Sequence, residues 1–459
     1  MKRSQHFPSL SPVVSIIILI ILSCANNSVR AMDVPVEYYK LKNGLKVVLS
    51  QDKTAPIIAV GVYYNIGFRT EPKNRTGFAH LFEHMMFQGS KNLGKMEYIS
   101  LVEKNGGILN GSTRFDFTNY YAVVPSNQLQ PLLWAEADRM KSLKVTPENL
   151  LNQQGVVKNE VKVNVLNQPY GGFPWLDMPQ LANENWFNAH NFYGDLADLD
   201  SANMQDVNGF FKTYYSPNNA VLVLTGDFQT GEAKQWIKQY FDDIPTAQQP
   251  PAPDLTEPVQ QKEKRRVKED SLANKPAMAI AYKMPPQYSP EYFAMGLLDQ
   301  ILVKGNNSKL YQRLVQEKGY TSSVDGGINH ILGNMFDYNG PMLWMVHLIY
   351  DTTVNADEVL QEVDKVVEEV INSIKQDDLD LAIVKQRSWL YDELGGYFGI
   401  GKLNLLACFA LFNDDPSKIN SIEASFKKVT PALIRQTAKE YLRTSNRSIL
   451  IIEPKSPTL

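Results

Sequence analysis

The chain has 459 residues, which on a prior of roughly 150 per domain allows two to four domains, each large enough for its own hydrophobic core. Its 46 Lys and Arg against 49 Asp and Glu leave a net charge of -3, so no global basic field draws it to nucleic acid or anionic lipid. With 44% hydrophobic and 21% charged residues, extended disorder and a multi-span membrane bundle are both excluded, and Cys24 and Cys408 become a single thiol if the N-terminus is removed.

In chain order, Lys2 and Arg3 precede an apolar run from Val13 to Leu22, followed by Ser23-Cys24-Ala25 and a polar stretch ending in Val29-Arg30-Ala31. That is the layout of a secretory signal peptide, and the run falls short of the roughly 20 residues that span a bilayer as a helix. The expectation is an exported, periplasmic protein in which residues 1–31 are removed and no integral span remains. Cleavage after Ala25 is one alternative. Another is a lipid anchor on Cys24, since Ile21-Leu22-Ser23-Cys24 is similar to a lipobox.

Glu37 to Leu49 reads as two strands around Asn43-Gly44, the strongest short hairpin signal, and a further strand follows at Ile57 to Tyr64. Pro245, Pro250, Pro251, Pro253 and Pro258, running into Lys262-Glu263-Lys264-Arg265-Arg266, exclude a helix or a central strand and mark a linker over 245–272. It separates a domain at 34–244 from one at 273–455. These two end alike: at an offset of 227 residues Val207–Thr225 falls on Ile434–Ile452, with Tyr214 over Tyr441 and Asn219 over Asn446. Both tails read as helix, polar turn and buried strand, so a duplicated α+β unit is the simplest account.

Thr76 to Gly89 carries apolar residues at helical spacing, with Asn74 or Thr76 placed to cap its start and Gly89 to end it. His80 and His84 stand at i and i+4, which stacks two imidazoles on one face, close enough to share one Zn2+. Glu83 sits beside them, free to act as a general base. The pattern is His-x-x-Glu-His, the inverzincin signature. A catalytic zinc usually has three protein ligands and an open position, and Glu160, bordering the apolar stripe of a predicted helix over Pro147–Val163, is the best candidate for the third. His190, His330 and His347 have no partner spacing and read as structural or surface residues.

These residues resemble the pitrilysin/insulinase metallopeptidase family, and within it the small two-domain bacterial members similar to processing peptidases. Glu160 stands at the family's distance after the motif, and Asn167-Gln168-Pro169-Tyr170-Gly171, Gly106-Gly107, Ser216-Pro217-Asn218-Asn219 and Ser308-Lys309-Leu310-Tyr311 also match. The resemblance covers nearly the whole chain after residue 31. It implies an α+β fold of two homologous α/β-sandwich domains, each a mixed sheet with packed helices, enclosing a chamber. It implies one Zn2+ per chain on His80, His84 and Glu160, Glu83 as base, and a peptide substrate laid as an added strand along Asn110, Gly111 and Thr113.

Two departures stand out. Gln153 replaces the second glutamate many members carry, and the arginine–tyrosine pair of active members falls on Val315 and Ser322. Arg313 and Tyr320 have the pair's separation but lie in a shifted register. In two-subunit relatives motif and pair lie on different chains, so the resemblance implies a zinc-bearing subunit acting with a related chain that supplies the pair. A homodimer, and a non-catalytic assembly subunit, are the alternatives.

Overall fold

The computed structural model describes residues 33–455; the predicted signal peptide, with Cys24 in it, lies outside them. β1 (Glu37–Lys40) and β2 (Lys46–Gln51) pair antiparallel around Asn43-Gly44, as the turn signal predicts. Gly44 takes φ +82°, and a Cβ there would lie 2.9 Å from Asn218 Cβ, so the turn requires glycine. β3 (Ile57–Tyr64) is buried along nearly its whole length, which is why its sequence is a continuous apolar run rather than an alternation. With β4 (Ile108–Thr113), β5 (Thr118–Pro125) and β6 (Ala220–Gly226) these strands form a six-stranded sheet in the order β1-β2-β6-β3-β5-β4. β4 is thus an edge strand, paired with β5 alone.

A second sheet consists of β7 (Lys264–Asp270), β8 (Ala277–Lys283), β9 (Asp325–Ile328), β10 (Leu343–Ile349) and β11 (Arg447–Pro454), in the order β7-β11-β8-β10-β9. Without β1 the two sheets have the same strand order and the same directions. β2–β6 and β7–β11 are the parallel pairs, and every other neighbour is antiparallel. The duplication read from the two tails therefore extends through both sheets. At the tails themselves, helices Met204–Tyr214 and Pro431–Tyr441 end on equivalent bonds: Asn219 Nδ2 donates to Tyr214 O at 2.9 Å and Asn446 Nδ2 to Tyr441 O at 2.7 Å.

One boundary differs from the sequence reading. β7 lies inside the segment assigned to the linker, so the second sheet begins at Lys264 rather than at 273. β7 is an edge strand with none of its residues buried and half of its charged ones exposed; it is held by its backbone against β11, which leaves no apolar alternation to read.

The halves also interlock. Helix Ile400–Asn413, apolar nearly all round, leaves the second half to pack on β2, β3 and β6 of the first. It approaches so closely that a Cβ on Gly61 would lie 2.7 Å from Leu403 Cδ2. Lys46 Nζ donates to Ala410 O and Leu411 O near that helix's C-terminus, at 2.9 and 3.0 Å. In return, helix Asp177–Ala182 of the first half covers β7, β8 and β11, with Met178 and Ala182 in one cluster with Ala279, Ala281 and Leu450. The exchange makes the chain from Pro35 onward one compact unit. No single helix among the described residues is long and apolar enough to cross a membrane.

Candidate metal centre

Phe78, Leu81, Phe82 and Met85 follow the i, i+3, i+4, i+7 rule, are at most 1% exposed, and anchor helix Phe78–Met85 in the first core. The opposite stripe, His80, Glu83 and His84, is left to face the edge strand β4 and helix Pro147–Val161. Neither predicted cap starts this helix: its N-cap is Gly77 in the left-handed region, and the Thr76 hydroxyl donates to Asp198 at 2.6 Å instead. The free N–H groups are taken by Glu71, fully buried, whose carboxylate accepts from Gly77 N at 2.9 Å and Ala79 N at 2.6 Å. At the other end Arg139 Nη1 donates to Met86 O at 3.3 Å, and between them Tyr120 Oη donates to Phe82 O at 3.0 Å. The imidazoles are thus carried on a helix fixed along its length.

Burial pushes the Glu71 carboxyl up to about 8, against the pull of its two N–H donors. A carboxyl whose folded pKa exceeds its unfolded value near 4.5 binds more protons folded than unfolded between the two, so stability falls as pH rises through that window. Thermal unfolding of the native chain is expected to shift downward from pH 5 to pH 9 relative to Glu71→Gln, which lacks the titrating group; parallel pH profiles would refute the assignment.

Helix Pro147–Val161 starts on a full set of signals, with Pro147 in its first turn and Thr146 Oγ1 accepting from Asn149 N at 3.1 Å. Val157 is fully buried, whereas Val156 is 41% exposed, and the helix runs into a π-helical turn at Lys162–Leu166. Glu160, half-buried in its last turn, reaches both histidines. His80 Nε2 and His84 Nε2 are 3.3 Å apart, Glu160 Oε1 lies 3.5 Å from the first and Oε2 3.3 Å from the second. A tetrahedral zinc with bonds of about 2.0–2.2 Å spaces its donors by about 3.3–3.5 Å; the two imidazole nitrogens already stand at that spacing, and Glu160 approaches each with a different oxygen, with one donor atom from each residue within 4.8 Å of the others. Hydrogen bonds from His80 and then His84 hold the Glu160 carboxyl well below the usual carboxylate range, so it is the anion a cation requires.

Tyr193, which carried no signal in the sequence, completes the cluster. Its hydroxyl donates to Glu160 Oε1 at 3.0 Å, its ring meets the His80 ring edge-on at 5.3 Å, and Trp175 backs it at 5.4 Å. The His80 Nδ1 atom is buried with no hydrogen-bond partner among the described residues, so that ring is oriented by packing. Gln153, at the site of the second glutamate, is 5% exposed.

Glu83 projects beside the three donors without joining them. Its Oε2 accepts from Thr113 Oγ1 at 2.7 Å, and a Cβ on Gly111 would lie 3.3 Å from its Cγ. Thr113 thus departs from its expected role: it is buried and turned inward onto the base, because alternate residues of β4 face opposite ways. Asn110 is exposed on the strand, and its Oδ1 accepts from Gly111 N at 2.9 Å, which places that N–H away from the β5 ladder.

Two family models match the chain. The one described as Insulinase (Peptidase family M16) spans residues 46–170, which contain the donor set and Glu83; the other, described as Peptidase M16 inactive domain, spans 201–385. The chain belongs to the insulinase family. Among its relatives, the zinc protease PqqE of Helicobacter pylori is 24% identical over 430 residues, 91% of this chain and 93% of that protein. Mitochondrial-processing peptidase subunit beta of Bos taurus is 22% identical over 426 residues, 90% of this chain and 83% of that one. A crystal structure of a protease from Helicobacter pylori shares the fold with a TM-score of 0.84 at 24% identity, covering 92% of this chain and 100% of that one.

For this insulinase-family chain the structure answers the question left by Arg313 and Tyr320. The Arg313 guanidinium donates to Glu362 and Glu369 at 2.9 and 2.6 Å and makes an ion contact with Glu317 at 2.8 Å, so its charge is taken up by three carboxylates. Val315 is half-buried in a π-helical turn and Ser322 exposed, so neither supplies the missing chemistry. His190 stacks on Trp186 at 4.1 Å and is structural, as predicted. His330 and His347, read as isolated, are brought together with Asp325.

Proposed function

We propose that this chain is a zinc-dependent metalloendopeptidase acting on peptides or unfolded protein segments outside the cytoplasm, as the zinc-bearing subunit of a pair with a related chain. The observation that carries this reading is the cluster of His80, His84 and Glu160, one donor atom of each within 4.8 Å of the others, with the Glu83 carboxylate beside it and outside the donor set. A purely structural zinc site has no use for such a base. Zinc held there supplies Lewis acidity, polarising the scissile carbonyl and acidifying water. Glu83 takes the proton of the attacking water and delivers it to the amine that leaves; Thr113 holds the carboxylate in place for both transfers. The open edge of β4 lies on the same side, so an extended peptide can add to it through backbone hydrogen bonds at Gly111 without its side chains being read.

With Arg313 paired to three carboxylates, the described residues offer no arginine–tyrosine pair for the substrate oxyanion, which supports a partner that provides one. A relative being a named subunit of mitochondrial processing peptidase supports the same reading. The alternative, a non-catalytic assembly subunit, draws on that engagement too. Hydrolysis of a quenched fluorescent peptide library decides between them, with the chain alone and mixed with its nearest related chain from the same source. Chelator-sensitive cleavage restored by Zn2+ in either sample establishes the peptidase, and cleavage only in the mixture establishes the shared site; inertness of both samples with zinc bound would leave the assembly subunit.

Tyr193→Phe removes the hydrogen bond to Glu160 Oε1 while keeping the ring against His80 and Trp175. Zinc affinity is expected to fall by about 10–100-fold, the usual effect of losing a group that orients a ligand, measured by competition with a chromogenic chelator. An unchanged affinity would show that Glu160 is oriented without it.

A further inference from the structure

We infer that Asp325, His330 and His347 form a second metal site, for a borderline divalent transition-metal ion such as Zn2+, at the outer edge of the second sheet. The two-imidazole, one-carboxylate set is the donor chemistry of that ion class. One ligand atom from each residue lies within 4.8 Å of the others, and His330 Nε2 is already 3.2 Å from Asp325 Oδ1, within the donor spacing of a tetrahedral ion.

The strand register makes this arrangement. β9 and β10 pair antiparallel with Asp325 opposite His347, so their side chains emerge on one face as a cross-strand pair. Asn329, with φ +53°, ends β9 and turns the chain so that His330 comes back over the same face, its ring 5.7 Å from that of His347. The His347 Nε2 atom is buried with no hydrogen-bond partner among the described residues. A buried imidazole nitrogen with nothing to bond is costly unless a ligand takes up the ring.

Among the described residues the cation beside this cluster is Lys304, whose Nζ donates to Gly326 O and which faces the buried carboxylate of Asp299. Burial raises Asp299 only to about 6, so at neutral pH Asp299 offsets Lys304 and the charge of Asp325 is left for the metal. Asp325 and His330 are 58% and 23% exposed, which gives an ion an entry path and room for water ligands. His330 also lines a small cavity of about 30 Å³ walled by Phe115, Trp175 and Phe192 from the first half, so a bound ion would pin the loop after β9 that forms its far wall.

This site does not depend on the peptidase reading, and Zn2+ titration separates the two. The purified full chain, stripped of metal and refolded to its native circular dichroism spectrum, is expected to take up about two equivalents of Zn2+. A His80→Ala/His84→Ala variant should retain one equivalent, and adding His330→Gln, at a position 23% exposed and outside the core, should remove it. Asp325→Asn in the same background should weaken the remaining equivalent at least about tenfold. A folded His80→Ala/His84→Ala chain that binds no Zn2+, or one whose bound ion is indifferent to both His330→Gln and Asp325→Asn, overturns the inference.

Discussion

Glu83→Gln is expected to lower kcat by about 10³-fold, within the 10²–10⁴ range of general acid–base catalysis, while leaving zinc content and KM unchanged. Glutamine is isosteric, and its Oε1 can still accept the Thr113 hydroxyl that now bonds Glu83 at 2.7 Å, so the side chain should keep its place. What it loses is the ability to take a proton from water and return it. The proposed zinc donors are His80, His84 and Glu160 and do not include Glu83, so metal content should not follow activity. Inductively coupled plasma measurement on the assayed sample checks this directly. Thr113→Val is the companion variant: it removes the hydrogen bond but not the base, so a loss of only about tenfold is expected, with recovery in Thr113→Ser. Retention by Glu83→Gln of more than about a tenth of native activity would remove Glu83 from the chemistry.

The parts of this site legible in the sequence are those whose geometry is local. Two histidines at i, i+4 must share a face of the helix, and the Asn43-Gly44 turn must form a hairpin, whatever the rest of the chain does. Glu160 was legible only because a carboxylate on the border of an apolar stripe needs a partner and because the family resemblance placed it. Residues that act across the fold left no such trace. Glu71 caps the metal helix from a loop, taking the role assigned to Asn74 or Thr76, since a buried carboxylate can satisfy the same N–H groups at a distance no capping pattern covers. Tyr193 reaches Glu160 across 33 residues. Thr113 was placed on the substrate edge because the strand was recognised but its register was not, and register decides which side chains turn inward. Asp325 and His347 meet for the same reason, in a pairing that exists only once β9 and β10 are aligned. β7 was taken for linker because an edge strand held by its backbone carries charges without a period.

The largest expected effect on stability comes from Asp116→Ala. Arg69 and Asp116 are each 2% exposed, with Arg69 Nε 3.3 Å from Asp116 Oδ1 as an ion contact rather than an aligned hydrogen bond. The second half of the chain closes this pair: Asn339 N donates to Asp116 Oδ2 at 2.7 Å, and Arg69 Nη1 donates to Pro341 O at 2.7 Å. The guanidinium also lies over the Phe115 ring at 5.2 Å. Removing the carboxylate leaves a guanidinium out of water with one carbonyl and a ring for company, and strands the Asn339 N–H. Breaking one side of a buried pair costs about 3–5 kcal/mol, far more than the net worth of the pair itself. Urea unfolding should show a loss of this size for Asp116→Ala and a substantially smaller one for Arg69→Met/Asp116→Leu, which removes both charges and refills the space. A loss under about 1 kcal/mol for Asp116→Ala would mean that water reaches Arg69 and that the two halves open at this seam.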